Sequence, residues 1–224
     1  MATPRPSVTQ EVFLEAALRI VDDIGPEALT TRTLGHAVGL DSTTVYRYFG
    51  SKDVLLGTLF DYVLGQALRN CADMSGSPEE RMRTLIHEYR LAFFAHPSTA
   101  RLNSQMADMV AAGLGESPNT IAFATLAIEI LSEWGLSGEN LLLGFEMAEM
   151  FIVGAVIQES GARNRGMGVR TGRLTKASTN TDAPTLDEES VEVLSNKAFD
   201  LGVEGLFSAL RSLRDTESES LDTG

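Results

Sequence analysis

The chain has 224 residues, of which 43% are hydrophobic and 22% charged, an ordinary balance for a globular protein with a sizeable core. No apolar run reaches the roughly 18 residues of a membrane span, and the polar, proline-containing start does not resemble a signal peptide. A single cysteine, Cys71, excludes an internal disulfide and suits a reducing compartment, so we expect a cytoplasmic protein without a membrane partner.

The net charge of −13 is distributed unevenly along the chain. Residues 1–70 hold six basic and eight acidic side chains, a net charge of −2, which leaves −11 for residues 71–224. DNA-binding proteins usually have a basic surface, so the charge argues against DNA binding, although the acidity lies mostly beyond residue 70. Binding of this segment to non-specific DNA is expected to be weak and steeply sensitive to salt.

The first helix is predicted from apolar residues at helical spacing. Its inward stripe consists of Phe13, Ala16, Ala17, Ile20, Val21 and Ile24. Gly25 and Pro26 end this helix, because glycine suits a left-handed cap and proline cannot continue the turn. A short second helix follows, begun by Thr30 or Thr31 and ended by Gly39.

The third and fourth helices are predicted on either side of Gly50. Asp41, or the serine after it, can cap the third helix, which carries Val45 and Phe49 on one face at i and i+4. Ser51 then caps a longer, apolar fourth helix.

Beyond residue 75 the pattern predicts longer helices. Ser77, Pro78 and Glu80 combine an N-cap, a proline at the first helical position and a capping box, and this helix runs to about Pro97. Further helices are predicted at about 98–112, 118–134 and 138–160, and from a Thr185–Glu188 capping box to about Leu213, before a frayed tail, Thr216–Gly224. Strand signals are nearly absent, so the predicted fold is all-α.

Residues 162–185 differ in composition from the segments around them. Gly, Ser, Thr, Asn and Arg dominate there and apolar residues are sparse, which favours a mobile, solvated loop. One acidic residue stands among five basic ones: Arg163, Arg165, Arg170, Arg173 and Lys176, with Asp182. A role in touching DNA or in gating a ligand site is the alternative.

The most informative stretch is residues 29–56, LTTRTLGHAVGLDSTTVYRYFGSKDVLL. Two short helices joined by a glycine-containing turn meet the geometric requirement of a helix-turn-helix. With Val45 and Phe49 facing inward, the second of these helices exposes side chains that suit phosphates and base edges: Thr43, Thr44, Tyr46, Arg47 and Tyr48. Lys52 lies in the first turn of the next helix, where backbone N–H groups and a cation together favour a phosphate.

The run TVYRYFGSKDVLL, preceded by LTTRTLGHAVGL, resembles the DNA-binding signature of the TetR family over about residues 10–65. The resemblance implies an N-terminal three-helix helix-turn-helix domain, residues 1–70 with a linking helix at about 51–70. A helical ligand-binding and dimerisation domain, residues 71–224, would follow. The positions implied to contact DNA are Thr31, Arg32, Thr43, Thr44, Tyr46, Arg47, Tyr48 and Lys52.

The resemblance also implies a ligand-responsive transcriptional regulator, a repressor released from a palindromic operator by a small molecule. A dimer is expected independently, because one recognition helix reads few base pairs and a symmetric pair doubles the interface. The resemblance implies that the dimer would form through the last two long helices, here at about 138–160 and 187–213. Its candidate residues are Leu141, Leu142, Phe145, Phe151, Leu201, Leu206, Phe207 and Leu210.

The unknown effector is expected to bind an adaptable apolar pocket in the second domain. Methionines and aromatic residues that could line it are Phe93, Phe94, Met106, Met109, Phe123, Trp134, Met147 and Met150, although they suit an ordinary core equally well. Polar candidates beside them are His87, His96, Asn103, Gln105, Glu146 and Glu149.

Other classes of function find less support in the sequence. Three histidines and one cysteine offer little material for a metal centre, and Gly166, Gly168 and Gly172 do not have dinucleotide-binding spacing. We therefore expect neither an enzyme nor a cofactor or metal. The remaining alternative is a helical interaction protein that does not bind DNA, which the acidic balance would suit. In an unrelated bundle, Tyr46, Tyr48 and Phe49 would be core aromatic residues.

Overall fold

The computed structural model describes residues 9–102, 117–164 and 187–222, and within these ranges every regular element is a helix. The α-helices are α1 (Gln10–Ile24), α2 (Thr31–Val38), α3 (Ser42–Phe49), α4 (Lys52–Asn70), α5 (Pro78–Ala95), α6 (Pro97–Ala100), α7 (Pro118–Glu133), α8 (Gly138–Asn164) and α9 (Glu188–Asp222). A short 3-10 helix, Pro26–Ala28, lies between α1 and α2. The all-α prediction is confirmed.

Side-chain caps fix where several helices begin. The Thr30 hydroxyl accepts a hydrogen bond from the Thr33 backbone N–H, and the Thr33 hydroxyl accepts one from the Thr30 N–H. Ser77 and Glu80 form the same reciprocal pair at the start of α5, as the sequence predicts. Such caps satisfy N–H groups that have no partner inside the helix.

The last helix differs from its prediction at both ends. It begins at Glu188, where the Asp187 carboxylate accepts a hydrogen bond from the Ser190 N–H at 2.8 Å. Glu188 is therefore the first helical residue rather than the third of a capping box, and Thr185 lies outside the described residues. The helix also continues past Leu213 to Asp222, so the prediction of a frayed tail was wrong at those positions.

Two other predicted segments fall mainly outside the described residues. Of the helix predicted at 98–112, only the beginning is described, where α6 ends at Ala100. Of the loop predicted at 162–185, residues 162–164, with Arg163 among them, belong to α8, so the loop prediction was wrong there; the rest, with Arg165, Arg170, Arg173 and Lys176, lies outside the described ranges.

The helices pack around one continuous apolar core. The first three helices enclose Phe13, Leu34 and Val45, each fully buried, and α4 packs against α1 and α3. Farther along, α4 also packs against α5 and α7, and α8 packs against α5, α7 and α9. Helix α4 is thus shared between the N-terminal helices and the rest of the molecule.

Helix α8 is more apolar than its exposure would suggest. The stretch Gly138–Ser160 is long enough to cross a membrane, and an 18-residue window within it has a mean hydropathy of 1.7, yet only 22% of that window is buried in the chain. Polar residues such as Glu146 and Glu149 interrupt the stretch, so the sequence contains no continuous apolar run of that length. An exposed apolar surface of this kind marks a site of contact with another protein or with a membrane.

Candidate nucleic-acid interface and internal cavity

The turn between α2 and α3 depends on two glycines. Gly39 ends α2 with φ 71° and ψ 29°, in the left-handed region that favours glycine. A Cβ on Gly35 would lie 2.8 Å from the backbone oxygen of Leu40, and the Leu40 N–H donates to the Gly35 oxygen, also at 2.8 Å. Gly35 therefore allows α2 to lie directly against the start of α3.

Helix α3 is held from behind by apolar side chains. Val45 is fully buried and Phe49 is 3% exposed, and the ring of Phe13 lies 6.0 Å from that of Phe49. On the other side, Tyr46 is 61% exposed, and Arg47 is exposed beside it. Tyr48 is 47% exposed although its ring also packs against Phe13 at 4.8 Å. The outer surface of α3 is consequently polar, aromatic and open to solvent.

The first turn of α3 is organised by Asp41. One carboxylate oxygen accepts a hydrogen bond from the Thr44 N–H at 2.9 Å, and the other accepts one from the Thr44 hydroxyl at 3.2 Å. The hydrogen bond from the Thr44 backbone lowers the pKa of the Asp41 carboxyl. Thr44 is half-buried and turned to this cap, whereas Thr43 is exposed.

The remaining predicted DNA contacts lie at the starts of the neighbouring helices. Thr31, half-buried, and Arg32, exposed, open α2, and Lys52 is the first residue of α4. The Lys52 ammonium donates to the backbone oxygen of Glu27 at 3.2 Å and lies 4.0 Å from its carboxylate. Lys52 is therefore held in place next to an acidic side chain that a phosphate would have to displace or share.

A second feature is a cavity of about 450 Å³ between α4, α5, α7 and α8. Most of its walls are apolar, and its lining comprises Phe60, Leu64, Met82, Leu85, Ile86, Tyr89, Thr120, Phe123, Ala124, Ala127, Phe145, Ala148, Glu149, Ile152 and Val153. Its size falls in the range of small-molecule sites, and a few polar groups in an apolar wall are typical of them.

Few of the residues suggested for ligand binding reach this cavity. Phe123 lines it, and among the polar candidates Glu149 does. Phe93 is fully buried in the core, where its ring stacks on Phe60 at 4.9 Å. Met147 is half-buried outside the lining, and Met150 is 65% exposed on the outer face of α8.

The other suggested residues have different surroundings. Trp134 packs against Phe207 at 5.5 Å, and Phe94 lies beside the Arg90 guanidinium. His87 packs edge-on against Phe199, whereas His96 forms a 2.7 Å contact with the Asp22 carboxylate. Met106, Met109, Asn103 and Gln105 lie outside the described residues.

Sequence reasoning missed most of the lining residues, including Phe60, Leu64, Met82 and Tyr89. Their periodicity shows that they face inward, but not that a space remains between them. The one available signal was polar residues among the methionines and aromatic residues, and it included Glu149, which is exposed, but not Thr120.

Asp61 joins α4 to the start of α7. Its side chain is 7% exposed and accepts hydrogen bonds from the Asn119 N–H at 2.9 Å, the Asn119 amide at 2.8 Å and the Thr120 N–H at 3.2 Å. Ser117 makes no side-chain cap there, so Asp61 caps α7 from a different helix. A Cβ on Gly65 would lie 2.7 Å from the Asn119 amide, so the two helices approach closely.

Apolar side chains remain uncovered on α8 and α9. These are Leu142, Leu143, Met150 and Ile157 on α8, and Val193, Leu194 and Leu201 on α9. Of the residues suggested for a dimer, Leu142 and Leu201 are more than 60% exposed. Phe207 and Leu210 are fully buried and Leu206 is 7% exposed, because they pack into the chain's own core.

No set of His, Cys, Asp and Glu side chains within residues 9–102, 117–164 and 187–222 is grouped to hold a metal ion. The arrangement that is present, a short exposed helix held against two others through a tight turn, defines the helix-turn-helix class of DNA-binding transcription regulators.

Comparison with protein families identifies the particular family. Residues 13–59 match the model for bacterial regulatory proteins of the tetR family, and residues 72–205 match the tetracyclin repressor-like C-terminal domain. Together these matches cover most of the chain, which belongs to the TetR family of ligand-responsive DNA-binding regulators.

Curated relatives are repressors of the same family. The chain is 24% identical to the class C tetracycline repressor of Escherichia coli, over 94% of each protein. It is 27% identical to the class E repressor of that species over 65% of this chain and 66% of the relative. With the repressor DrrR1 of Streptomyces coeruleorubidus it shares 24% identity, and the match spans 60% of that protein.

Solved structures agree on the fold. A possible TetR family regulator from Streptomyces coelicolor A3(2) superposes with a TM-score of 0.73 at 25% identity, over 92% of this chain and all of that one. ActR from Streptomyces coelicolor, solved with actinorhodin, gives a TM-score of 0.69 at 24% identity, over 92% of this chain and 98% of that one.

Proposed function

We propose that this protein is a homodimeric repressor that binds a palindromic operator in the cytoplasm and leaves it when a small molecule occupies its cavity. The observation that carries the proposal is the outer face of α3. Val45 and Phe49 anchor this helix from behind, while Tyr46 and Arg47 project into solvent. An exposed helix of this kind, with hydroxyls and a guanidinium on its surface, fits a major groove.

Each predicted DNA contact has a role in the proposal. Arg47 and Thr43 would reach base edges or phosphates from α3, and the hydroxyls of Tyr46 and Tyr48 would contact the DNA backbone and fix the position of the helix on it. Lys52 and the Thr31–Arg32 start of α2 would bind phosphates on either side of the groove. Thr44 contributes through Asp41, since its hydroxyl already donates to that carboxylate.

Residues 71–224 would serve as the effector and dimer domain, with the division from the DNA-binding domain near residue 70. The cavity is the proposed effector site, and α4 is the proposed link to DNA, because it lines the cavity and packs against α3. A ligand that shifts α7 would act on α4 through Asp61. Such a ligand must bind the released state more tightly than the DNA-bound one by a few kcal/mol.

Dimerisation is proposed through the uncovered faces of α8 and α9. Leu142 and Met150 on α8, and Leu194 and Leu201 on α9, would be covered by the same residues of a second copy in a symmetric contact. Burial of this surface would also explain why so apolar a helix as α8 is largely exposed in one chain.

The proposal is tested by gel shift with fragments of the genome that encodes the protein, at low salt, where counterion release favours binding most. Tyr46→Ala and Lys52→Ala should weaken the shift while the helical circular dichroism and the dimer mass stay unchanged. The salt slope should fall by about 0.9 for Lys52→Ala if it contacts one phosphate.

Arg69→Ala is the matched control, because Arg69 is exposed and lies about 25 Å along α4 from Lys52 by helical rise. It should bind DNA as the unaltered protein does. If no fragment shifts even at low salt, the chain is a helical interaction protein without DNA binding, and the proposal fails.

A further inference from the structure

The charged residue in the cavity lining is acidic, and no basic residue accompanies it among the described lining residues. Among the lining residues that the structure describes there is one carboxylate, Glu149, and there is no lysine, arginine or histidine. Two other polar side chains belong to the lining, those of Thr120 and Tyr89. A ligand in this space therefore meets an apolar surface, hydroxyl groups and one acidic group.

Glu149 lies where a negative charge is poorly compensated. Glu149 lines the cavity but is still exposed to solvent, and the desolvation that the cavity wall imposes, with Glu146 one turn away adding to it, raises the pKa of its carboxyl. No ion pair to Glu149 occurs among the residues for which contacts are described. The attraction of a cation placed beside this carboxylate would offset its desolvation and the repulsion from Glu146, whereas an anion would add a third negative charge.

Thr120 adds a neutral polar contact. Its hydroxyl oxygen is shielded from solvent and has no hydrogen-bond partner within the described part of the chain. Its backbone N–H is already used, because it donates to Asp61. Leaving a buried hydroxyl without a partner is costly, so a ligand group that hydrogen-bonds to it would be favoured.

We propose that the effector is an apolar, ring-containing amine of small-molecule size whose protonated nitrogen pairs with Glu149 and whose body fills the space beside Phe123. Thr120 hydrogen-bonds to a second, neutral polar group on the same molecule. The inference rests on the proposed function in one respect, namely that this cavity is the effector site. It excludes carboxylates and phosphates as effectors.

Three probes with one ring system and different charges test the inference. They are 9-(aminomethyl)anthracene, 9-anthracenemethanol and 9-anthracenecarboxylate, each titrated into the dimer at pH 7.5 with binding followed by anthracene fluorescence. The amine should bind about two- to fivefold more tightly than the alcohol, as expected for one ion pair that is open to solvent on one side. The carboxylate should bind most weakly of the three.

Glu149→Gln should bring the amine and the alcohol to equal affinity. Glu146→Gln is the matched control, because it removes the same charge one turn away from a residue outside the lining, and it should preserve the order of the probes. Equal ranking in Glu149→Gln and the unaltered protein, tighter binding of the carboxylate, or no binding of any probe would overturn the inference.

A cavity-filling variant separates this inference from the proposed function. Ala127→Leu adds volume at a buried lining position, and Ala124→Leu does so at a half-buried one, which keeps the test open if the first variant fails to fold. Both should abolish binding of the amine. If these variants still bind the amine, the cavity is not the binding site, and the proposed effector site is wrong as well. If they lose binding but the unaltered protein ranks the three probes in another order, only the proposed ligand class is wrong.

Discussion

The hydrogen bonds that connect Asp61 on α4 to the start of α7 allow a quantitative prediction. Asp61→Ala removes an acceptor that takes three hydrogen bonds, two of them from backbone N–H groups at the start of α7. Loss of an N-cap typically costs about 0.5–2 kcal/mol, and each buried donor left without a partner adds about 1–3 kcal/mol. Since water can reach part of this site after the truncation, we expect a total loss of about 2–4 kcal/mol in the free energy of unfolding.

The assay is urea unfolding followed by helical circular dichroism, with thermal unfolding as a second readout. At about 2–4 °C per kcal/mol for a chain of this size, the melting temperature should fall by about 4–16 °C. Asn119→Ala removes the matched partner, and the double variant should show a coupling energy of about 1–2 kcal/mol with Asp61→Ala.

Two results would refute this reasoning. A loss below about 0.5 kcal/mol for Asp61→Ala would place the site among ordinary surface substitutions. If the losses in the free energy of unfolding for the Asp61 and Asn119 variants simply add in the double variant, the two side chains do not interact.

Three further predictions follow from the same structure. Gly35→Ala places a Cβ 2.8 Å from the Leu40 oxygen, so the variant should have a lower melting temperature and a lower affinity for DNA. A gel shift equal to that of the unaltered protein would contradict this. Arg90→Ala leaves Glu159, 8% exposed, without the guanidinium that donates to both its oxygens, and should cost about 3–5 kcal/mol in urea unfolding; a loss under 1 kcal/mol would contradict it. Burial raises the pKa of the Cys71 thiol to about 11. At pH 8, iodoacetamide should therefore label the folded protein about a hundredfold more slowly than the unfolded chain, as followed by mass spectrometry. Equal labelling rates would contradict the burial of Cys71.

The local features of the fold were predictable from the sequence because they depend on near neighbours. Thr30, Ser51 and Ser77 cap helices that the structure also begins there, and the break at Pro97 coincides with the end of α5 at Ala95. The inward positions of Val45 and Phe49 follow from spacing alone, and the structure confirms both as buried.

The cavity and the uncovered faces were less accessible from the sequence, for a physical reason. Helical periodicity identifies which residues turn inward, but not which helix they meet or whether the packing leaves a space. Phe93 and Phe123 lie on inward faces alike, yet one fills the core and the other lines the cavity. Similarly, Leu201 and Phe207 read as equivalent apolar residues of one helix, although one is exposed and the other fully buried.

Footprinting tests the central claim most directly, namely that the outer face of α3 reads DNA. A genomic fragment retained by the protein should show two protected half-sites, related by two-fold symmetry and centred about 34–36 Å apart or a multiple of that distance. Both should disappear with Tyr46→Ala and with Arg47→Ala, and both should persist with Arg69→Ala. Protection that survives the α3 variants, or that lacks two-fold symmetry, would contradict the account.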